Sequence, residues 1–230
     1  MKVFENPLCL YCHSPIHEGA SWSSIFFLEE VDLLCSECRS KLTPISGNTC
    51  ISCCKPTETE GRCSDCEQWM EDRLFGHTLD YNVSLYTYNS FMRDVIARYK
   101  YRGDYELVRL FASEIRKKAP KSDYVMAIPL SDERLNERGF NQAEAIGTAA
   151  GFRLENGLIR IHGEKQSKKN RYERIHTKQV FGIRPKAPDF QDKRVLILDD
   201  IYTTGSTLRH AAAILKEAGA HSVISLTIAR

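Results

Sequence analysis

The stretch VLILDDIYTTGSTL, residues 195–208, decides the fold. It opens with four apolar residues, Val195–Leu198, as expected of a short strand buried on both faces of a parallel sheet. Asp199 and Asp200 follow at once, and then a small hydroxyl loop with one glycine, Thr203–Thr207. Apolar residues then recur at helical spacing, at Leu208, Ala211, Ala212, Leu215 and Ala218. The order of strand, acids, loop and helix predicts an α/β fold with a ligand site at this point.

The hydroxyl loop is predicted to bind an anion. Backbone N–H groups at a helix start converge on one spot, and the helix dipole favours a phosphate there. Gly205 permits a positive φ and close approach of the ligand. The two acids suit other ligands, either sugar hydroxyls or Mg²⁺. Because successive strand residues point to opposite faces, Asp199 and Asp200 are not expected to share one role.

This stretch resembles the phosphoribosyl pyrophosphate (PRPP) signature of type I phosphoribosyltransferases. The resemblance implies a Rossmann-like parallel sheet with helices on both faces, with PRPP as ligand and Mg²⁺ as its accompanying ion. It implies that Asp199 and Asp200 hold the ribose hydroxyls at the reacting centre. The residues implied to hold the 5′-phosphate are Thr203, Thr204, Gly205, Ser206 and Thr207.

Charge is spread unevenly along the chain of 230 residues. Residues 1–72 hold 5 Lys and Arg against 12 Asp and Glu, a formal charge of −7, whereas residues 73–230 hold 27 against 18, or +9. We expect two domains, a cysteine-rich module at 1–72 and a main domain at 73–230, and the charge distribution predicts that polyanions bind the second. With 42% hydrophobic and 27% charged residues the chain is typical of a globular protein.

The first 72 residues predict a small zinc-binding module. Eight of the nine cysteines form four CxxC pairs: Cys9/Cys12, Cys35/Cys38, Cys50/Cys53 and Cys63/Cys66. Two such pairs supply four thiolates to a tetrahedral, structural Zn²⁺. Sequential pairing into two Cys₄ sites is the simplest arrangement, although spacing alone also allows an interleaved one. A redox dithiol is a weaker interpretation, because it needs one pair and not four. Cys54 is left as a free thiol.

We expect a cytoplasmic protein. The N-terminus MKVFENPLCLYCH has no apolar signal-peptide core. The apolar cluster nearest to it, Ile25–Leu28, is too short to cross a bilayer, so no membrane insertion is expected.

Residues 73–122 are predicted to lead into the main domain. Leu79–Tyr88 alternates like a strand, and Ser90 is the expected cap of a helix that stops before Gly103. Asp104 is expected to cap the next helix. At the end of the first helix, Lys100 and Arg102 either reach a phosphate or compensate the helix dipole in solvent.

A second strand, Tyr124–Leu130, is followed by a predicted loop, 131–141, that contains Arg134 and Arg138. A helix is expected from Asn141. Arginine matches phosphate geometry, and ligands bind at the carboxyl ends of parallel strands. By resemblance to the phosphoribosyltransferases, this loop meets the pyrophosphate. The alternative is that both arginines are ordinary surface residues.

Arg153–Ile161 is predicted as the next strand, before a basic segment, Lys165–Lys178. By the same resemblance this segment is a lid that brings cations to the pyrophosphate. Contact with a nucleic-acid backbone, with Tyr172 stacked on a base, and a merely solvated loop are the alternatives. The candidate cations are Lys168, Lys169, Arg171 and Arg174.

The full layout is similar to the ComF family of competence proteins. The similarity rests on the CxxC pairs, KYRGD at 100–104, IPLSDERLNERGFNQA at 128–143, KQSKKNRYER at 165–174 and the PRPP signature. It implies a role in natural transformation, with single-stranded DNA and other DNA-uptake proteins as partners.

Two other functions stay open, a nucleotide-salvage phosphoribosyltransferase and a non-catalytic adaptor that binds single-stranded DNA. No base-binding hood is expected after the strand Ser222–Ala229, so one would have to come from residues 1–122. Nothing there specifies a nucleobase, and the acceptor of any transfer reaction is left unassigned.

Overall fold

The computed structural model describes residues 7–16, 32–161 and 180–230. Within the described residues, two short helices lie in the cysteine-rich part, and the remaining elements follow from residue 81 onward. In chain order the elements are α1 (Ser36–Ser40), α2 (Ser64–Met70), β1 (Tyr81–Tyr86), α3 (Ser90–Tyr101), a 3₁₀ turn (Tyr105–Val108), α4 (Arg109–Lys118), β2 (Tyr124–Ala127), α5 (Asp132–Arg138), α6 (Gln142–Ala149), β3 (Leu158–Arg160), β4 (Phe181–Ile183), β5 (Arg194–Ile201), α7 (Ser206–Glu217) and β6 (Ser222–Ala229).

The main sheet has four parallel strands in the order β1-β6-β5-β2. Helices α4 and α6 pack on one face of this sheet and α7 packs on the other. A short apolar strand buried on both sides needs this double cover. The predicted α/β fold with helices on both faces is confirmed.

Strand β5 divides its side chains between two cores. Val195 and Ile197 lie in the core that contains the apolar stripe of α7, whereas Leu196 and Leu198 lie in the core beneath α4 and α6. This alternation is the period-two pattern of a strand. Strand β5 continues to Ile201, so Asp199 and Asp200 still belong to the strand. Their side chains therefore also point to opposite faces of the sheet.

The predicted strand Arg153–Ile161 is only partly correct. Leu154 bridges Val125 in parallel at the edge of the main sheet, but β3 then pairs antiparallel with β4, with Leu158 opposite Ile183. Beyond Leu154 the chain leaves the main sheet and β3 pairs with β4 at residues 181–183. A local sequence pattern does not reveal such a distant partner.

The predicted loop at 131–141 is wrong, since it contains helix α5. The Ser131 hydroxyl accepts from the Arg134 N–H, and Gly139 ends the helix with φ of 78°.

Two helix caps differ from those that the sequence predicts. Asn89, and not Ser90, caps α3 by accepting from Met92. The Asp104 carboxylate pairs with Arg98 at 2.5 Å, and a 3₁₀ turn opens the next helix without its side chain.

The cysteine-rich part packs on the main domain through both cores. Cys9 and Cys38 lie against the core that holds α3, whereas Cys50, Cys53, Cys63 and Cys66 lie against the core that holds α7. The boundary between residues 72 and 73 stays a prediction. Among the described residues, no helix has the length and apolarity needed to span a bilayer.

Candidate functional site

A polar cavity of about 220 Å³ opens at the carboxyl ends of β2 and β5. This is the edge at which ligands bind in parallel α/β sheets. Among the described residues, four cations and two carboxylates converge on it. The lining residues are Lys100, Ile128, Leu130, Arg134, Arg138, Asn141, Gln142, Ala143, Arg160, Asp199, Asp200, Ile201, Thr203 and Thr207.

The two acids of the cavity differ in their partners. The Asp200 carboxylate pairs with the Lys100 ammonium at 2.7 Å, and both side chains are largely buried. Asp199 has no ion-pair partner in the part of the chain that the structure describes, and its Oδ1 accepts from the Asp200 N–H at 2.9 Å. Burial, together with the charge of Asp200, raises the pKa of Asp199 to about 7. Asp199 is therefore the carboxylate that gains most from a cation or a hydroxyl donor.

The hydroxyl loop has the geometry of an anion cradle. Gly205 has φ of 81°, and a Cβ there would lie 2.2 Å from the hydroxyl of Tyr202. The N–H groups of Thr203, Thr204 and Gly205 have no protein acceptor within the described residues. Unpaired donors at the start of a helix of 12 residues are suited to a phosphate.

Arg138 is held by the residues that follow it. Its Nη1 donates to the Gln142 side chain at 2.9 Å, while its buried Nε has no acceptor in the described part of the chain. Asn141 fixes this arrangement, because it caps α6 and donates to the Ile128 carbonyl at the end of β2. The GFNQA stretch, residues 139–143, thus holds Arg138 at the wall of the cavity.

The other cations line the cavity from different elements. Arg134 lies on α5 and is exposed, whereas Arg160 ends β3 with its guanidinium 5.4 Å above the ring of Phe181. Burial lowers the pKa of Arg160, and the nearby charge of Arg134 adds to that lowering. Several cations that line one cavity make it electrostatically suited to an anion.

The eight paired cysteines form two clusters in the sequential pairing. One contains Cys9, Cys12, Cys35 and Cys38, and the other contains Cys50, Cys53, Cys63 and Cys66. Within each cluster the sulfur atoms lie within 4.8 Å of one another. The pairs Cys12–Cys35 and Cys53–Cys63 are each 3.6 Å apart, close to the ~3.8 Å that a tetrahedral ion with ~2.3 Å Zn–S bonds requires. The donor set and spacing fit zinc, and no described cysteine is in a disulfide.

Each cluster contains one thiol that is easily ionised. A hydrogen bond from Ser14 lowers the pKa of Cys12 to about 6. A hydrogen bond from Cys66 lowers the pKa of Cys53 to about 5, to which the charge of Arg230 contributes. Thiolates are the form that binds a metal.

Comparison with known proteins identifies the family. The model of the phosphoribosyl transferase domain matches residues 108–230. The chain is 38% identical over 229 residues to competence protein ComFC of Bacillus subtilis, covering 97% of this chain and 95% of that one. This chain belongs to the ComFC family of competence proteins and carries a phosphoribosyl transferase domain.

Other relatives agree with this assignment. Competence protein ComFC of Streptococcus pneumoniae is 37% identical over 96% of this chain and 99% of its own length. Competence protein F of Haemophilus influenzae is 25% identical over 85% of this chain and 96% of its own length. The similarity to the ComF family predicted from the motifs is confirmed.

The structure gathers most of the predicted site residues. The acids Asp199 and Asp200, the loop residues Thr203 and Thr207, and both Arg134 and Arg138 line one cavity. Thr204, Gly205 and Ser206 complete the loop without lining the cavity. The predicted lid cations Lys168, Lys169, Arg171 and Arg174 lie outside the described residues.

Two cavity residues were missed or left ambiguous by the sequence. Arg160 gave no signal, because it closes a three-residue strand that lies outside the main sheet. For Lys100 the sequence allows either a phosphate ligand or a solvated helix end; in the structure it lines the cavity and pairs with Asp200. The lysine follows Tyr99, whose buried hydroxyl donates to the Gln142 carbonyl and fixes the end of α3 over the cavity.

Proposed function

We propose that the chain binds PRPP together with Mg²⁺ in this cavity and serves DNA uptake in the cytoplasm. The observation that carries the proposal is the convergence of three complementary groups at one sheet edge. These are the unpaired N–H groups of the loop 203–205, the four cations of the cavity and the uncompensated carboxylate of Asp199. PRPP presents a matching phosphate, pyrophosphate and ribose diol.

Each group has a distinct proposed role. The loop 203–207 binds the 5′-phosphate through its N–H groups and hydroxyls. Asp199 and Asp200 accept from the ribose hydroxyls, and the arginines of α5 and β3 neutralise the pyrophosphate. Carboxylate and phosphate oxygens are also the ligands that Mg²⁺ prefers, and Asp199 fits this requirement. When bound, the ion would neutralise the negative charge of the pyrophosphate.

Calorimetric titration of the purified protein with PRPP in Mg²⁺ tests the proposal. We expect saturable heat with one site per chain. Thr207→Val removes one loop hydroxyl and should weaken binding about fivefold, in line with ~1 kcal/mol per hydrogen bond. Thr148→Val, on the exposed side of α6, is the matched control and should bind as wild type. Absence of heat from the wild-type protein at millimolar PRPP would refute the proposal.

We further propose that the face beside this cavity contacts single-stranded DNA. Tyr101 is 65% exposed at the end of α3, and the Arg138 guanidinium lies 5.6 Å from its ring centroid. Arg102 and Tyr105 lie exposed next to it. Aromatic rings among cations are typical of surfaces that stack bases and follow a phosphate backbone.

Fluorescence anisotropy with a labelled oligothymidine tests this face. Tyr101→Ala should weaken binding at least about fivefold, because stacking is worth ~1–3 kcal/mol per base. Tyr81→Ala is the control, since Tyr81 is also exposed but lies at the start of β1, the opposite end of the sheet. Equal losses in both variants, or none in either, would argue against a specific DNA face.

Both cysteine clusters are proposed to hold structural zinc. The sulfur spacing and the four thiol donors of each cluster support this. Closed Cys₄ sites offer no open position for chemistry, so their contribution is to folding and to the placement of neighbouring groups.

A further inference from the structure

The hydroxyl loop, Thr203–Thr207, is called the phosphate loop from here on. Three consecutive carbonyl groups at its start, those of residues 202–204, accept hydrogen bonds from side chains outside the loop. Arg230 Nη1 donates to the Thr203 carbonyl at 2.7 Å and to the Tyr202 carbonyl at 3.4 Å. The Trp69 indole N–H donates to the Thr204 carbonyl at 2.8 Å. Each carbonyl of the segment that leads into α7 thus accepts from a side chain outside the loop.

These contacts fix where the loop N–H groups point. In a trans peptide the C=O and the following N–H point in opposite directions, and the described chain contains no cis peptide. Binding the carbonyls of residues 202, 203 and 204 therefore directs the N–H groups of Thr203, Thr204 and Gly205 to the other side of the loop. Those are the three N–H groups without a protein acceptor in the described residues.

Both donors belong to the surroundings of the second cysteine cluster. Trp69 lies on α2, which begins directly after Cys63 and contains Cys66. Arg230 Nε donates to the Cys53 sulfur at 3.1 Å, and its guanidinium lies 4.8 Å from the ring centroid of Tyr202. The position of each donor is thus set by the geometry of this cluster.

The Arg230 side chain is only 9% exposed, and its backbone is fixed as well. Its N–H donates to the Tyr86 carbonyl at 3.0 Å, and its carbonyl accepts from Tyr88 at 2.8 Å. The first cluster makes no such contact with the loop in the described residues. It packs instead against α3, where Arg98 donates to the Tyr11 carbonyl.

We propose that Trp69 and Arg230 are positioning residues that couple the metal in the second cysteine cluster to the affinity of the phosphate loop. This inference rests on the proposed binding of PRPP. A metal held by Cys53, Cys63 and their partners fixes α2 and the guanidinium, and these in turn fix the donors of the loop. Loss of that metal frees the carbonyls and lowers affinity for a 5′-phosphate.

Two variants test the inference by calorimetry with PRPP and Mg²⁺. Trp69→Phe removes the indole N–H and keeps an aromatic ring beneath Arg209, which lies 5.1 Å from the Trp69 ring centroid. Arg230→Met removes the guanidinium and keeps a long apolar side chain. We expect the Kd for PRPP to rise about fivefold in the first and at least about tenfold in the second.

Lys55→Met is the matched control. Lys55 pairs with Asp65 at 3.2 Å in the same module, as Arg230 does at 3.8 Å, but it does not touch the loop. Its Kd for PRPP should stay within twofold of wild type. Circular dichroism and zinc content are measured for every variant, so that a folding defect is recognised.

Inorganic pyrophosphate separates positioning from general damage. It lacks the 5′-phosphate, so its affinity should stay within twofold of wild type in Trp69→Phe and Arg230→Met. A parallel loss of pyrophosphate and PRPP affinity would refute a role confined to the phosphate loop. Unchanged PRPP affinity in both folded variants would refute the inference while leaving PRPP binding intact. Failure of the wild-type protein to bind PRPP would instead refute the proposed function.

Zinc competition provides the reciprocal measurement. Because coupling between two binding sites is mutual, saturating PRPP should raise the affinity of one zinc against a chelator and leave the other unchanged. The effect should be lost in Arg230→Met. Equal protection of both metals, or of neither, would overturn the assignment to the second cluster.

Discussion

Asp199→Asn should make the free energy of unfolding less dependent on pH than it is in the wild-type protein. Burial beside Asp200 raises the pKa of Asp199 from 3.8 to about 7. In the unfolded chain the carboxyl releases its proton near its ordinary pKa, whereas the folded protein keeps the proton until about pH 7. The contribution of Asp199 to stability is therefore lost as the pH rises from about 4 to about 7, and is constant above that.

The magnitude follows from the same values. The rise of the Asp199 pKa from 3.8 to about 7 corresponds to about 4 kcal/mol over the whole pH window. Between about pH 5.5 and pH 8.5, where the cysteine ligands are not stripped by acid, about 2 kcal/mol of this remains. Asparagine does not titrate, and its amide oxygen can still accept from the Asp200 N–H.

Urea unfolding from pH 5.5 to 8.5, with zinc and without Mg²⁺ or PRPP, measures the effect. The free energy of unfolding of Asp199→Asn minus that of wild type should increase by about 2 kcal/mol across this range. Titration of the cysteines is common to both proteins and cancels in the difference. Asp94→Asn, at an exposed position on α3, is the control and should give a constant difference. A constant difference for Asp199→Asn as well would refute the reasoning.

Three shorter predictions concern the loop, the cavity and the metal clusters. Gly205→Ala should lower the free energy of unfolding in urea by about 1–3 kcal/mol and weaken PRPP binding, because φ is 81° and a Cβ would meet the neighbouring tyrosine hydroxyl. Wild-type affinity for PRPP in this variant would contradict the role of the loop as an anion cradle. Arg138→Met should raise the Kd for pyrophosphate at least about tenfold by calorimetry, whereas Arg153→Met, 91% exposed, should not. Cys50→Ser should lower the zinc content, measured by atomic emission, from two ions per chain to one, whereas Cys54→Ser should retain both ions. An equal loss of zinc in both variants would show that Cys54 also contributes to the metal site.

The centre of the fold could be predicted because its signals are local. An apolar run, two acids, a hydroxyl loop and a helical stripe lie within 24 residues, 195–218, and each depends on near neighbours. Helix α6 and strand β6 were predicted for the same reason. The sequential pairing of the cysteines was the simplest one, and the structure adopts it.

Helix α5 was missed although its caps are visible in the sequence. Ser131 and Gly139 bracket it, but Leu135 is the single apolar residue between them and is 42% exposed. A helix that buries no stripe has no periodicity to detect. Its capping residues carry the helix signal, whereas its two arginines favour the interpretation as a phosphate-binding loop.

Long-range contacts could not be predicted from the pattern. Strand β4 pairs with β3 across the segment 162–179, and Arg160 reaches the cavity only because of that pairing. Trp69 and Arg230 meet the phosphate loop across 135 and 27 residues. Neither forms a motif with the loop in sequence, so only the fold shows that the cysteine-rich part contributes to this site.

The two faces of the phosphate loop contact different parts of the chain. The acidic first 72 residues, with a formal charge of −7, contact the loop through its carbonyls, whereas the cavity cations and Tyr101 lie on the side of its N–H groups. A polyanion is therefore steered toward the cavity face. Arg138 both lines the cavity and lies over Tyr101, so it would contact either ligand.

We therefore expect PRPP and single-stranded DNA to influence each other's binding through this arginine. Saturating PRPP should change the Kd for labelled oligothymidine at least about threefold at constant ionic strength, and Arg138→Met should abolish the change. Anisotropy at several salt concentrations distinguishes this coupling from simple screening, which would act on both proteins alike. If PRPP binds while the DNA affinity of the wild-type protein is unaffected, the two ligands do not share this residue, and the DNA path must lie on another part of the basic domain.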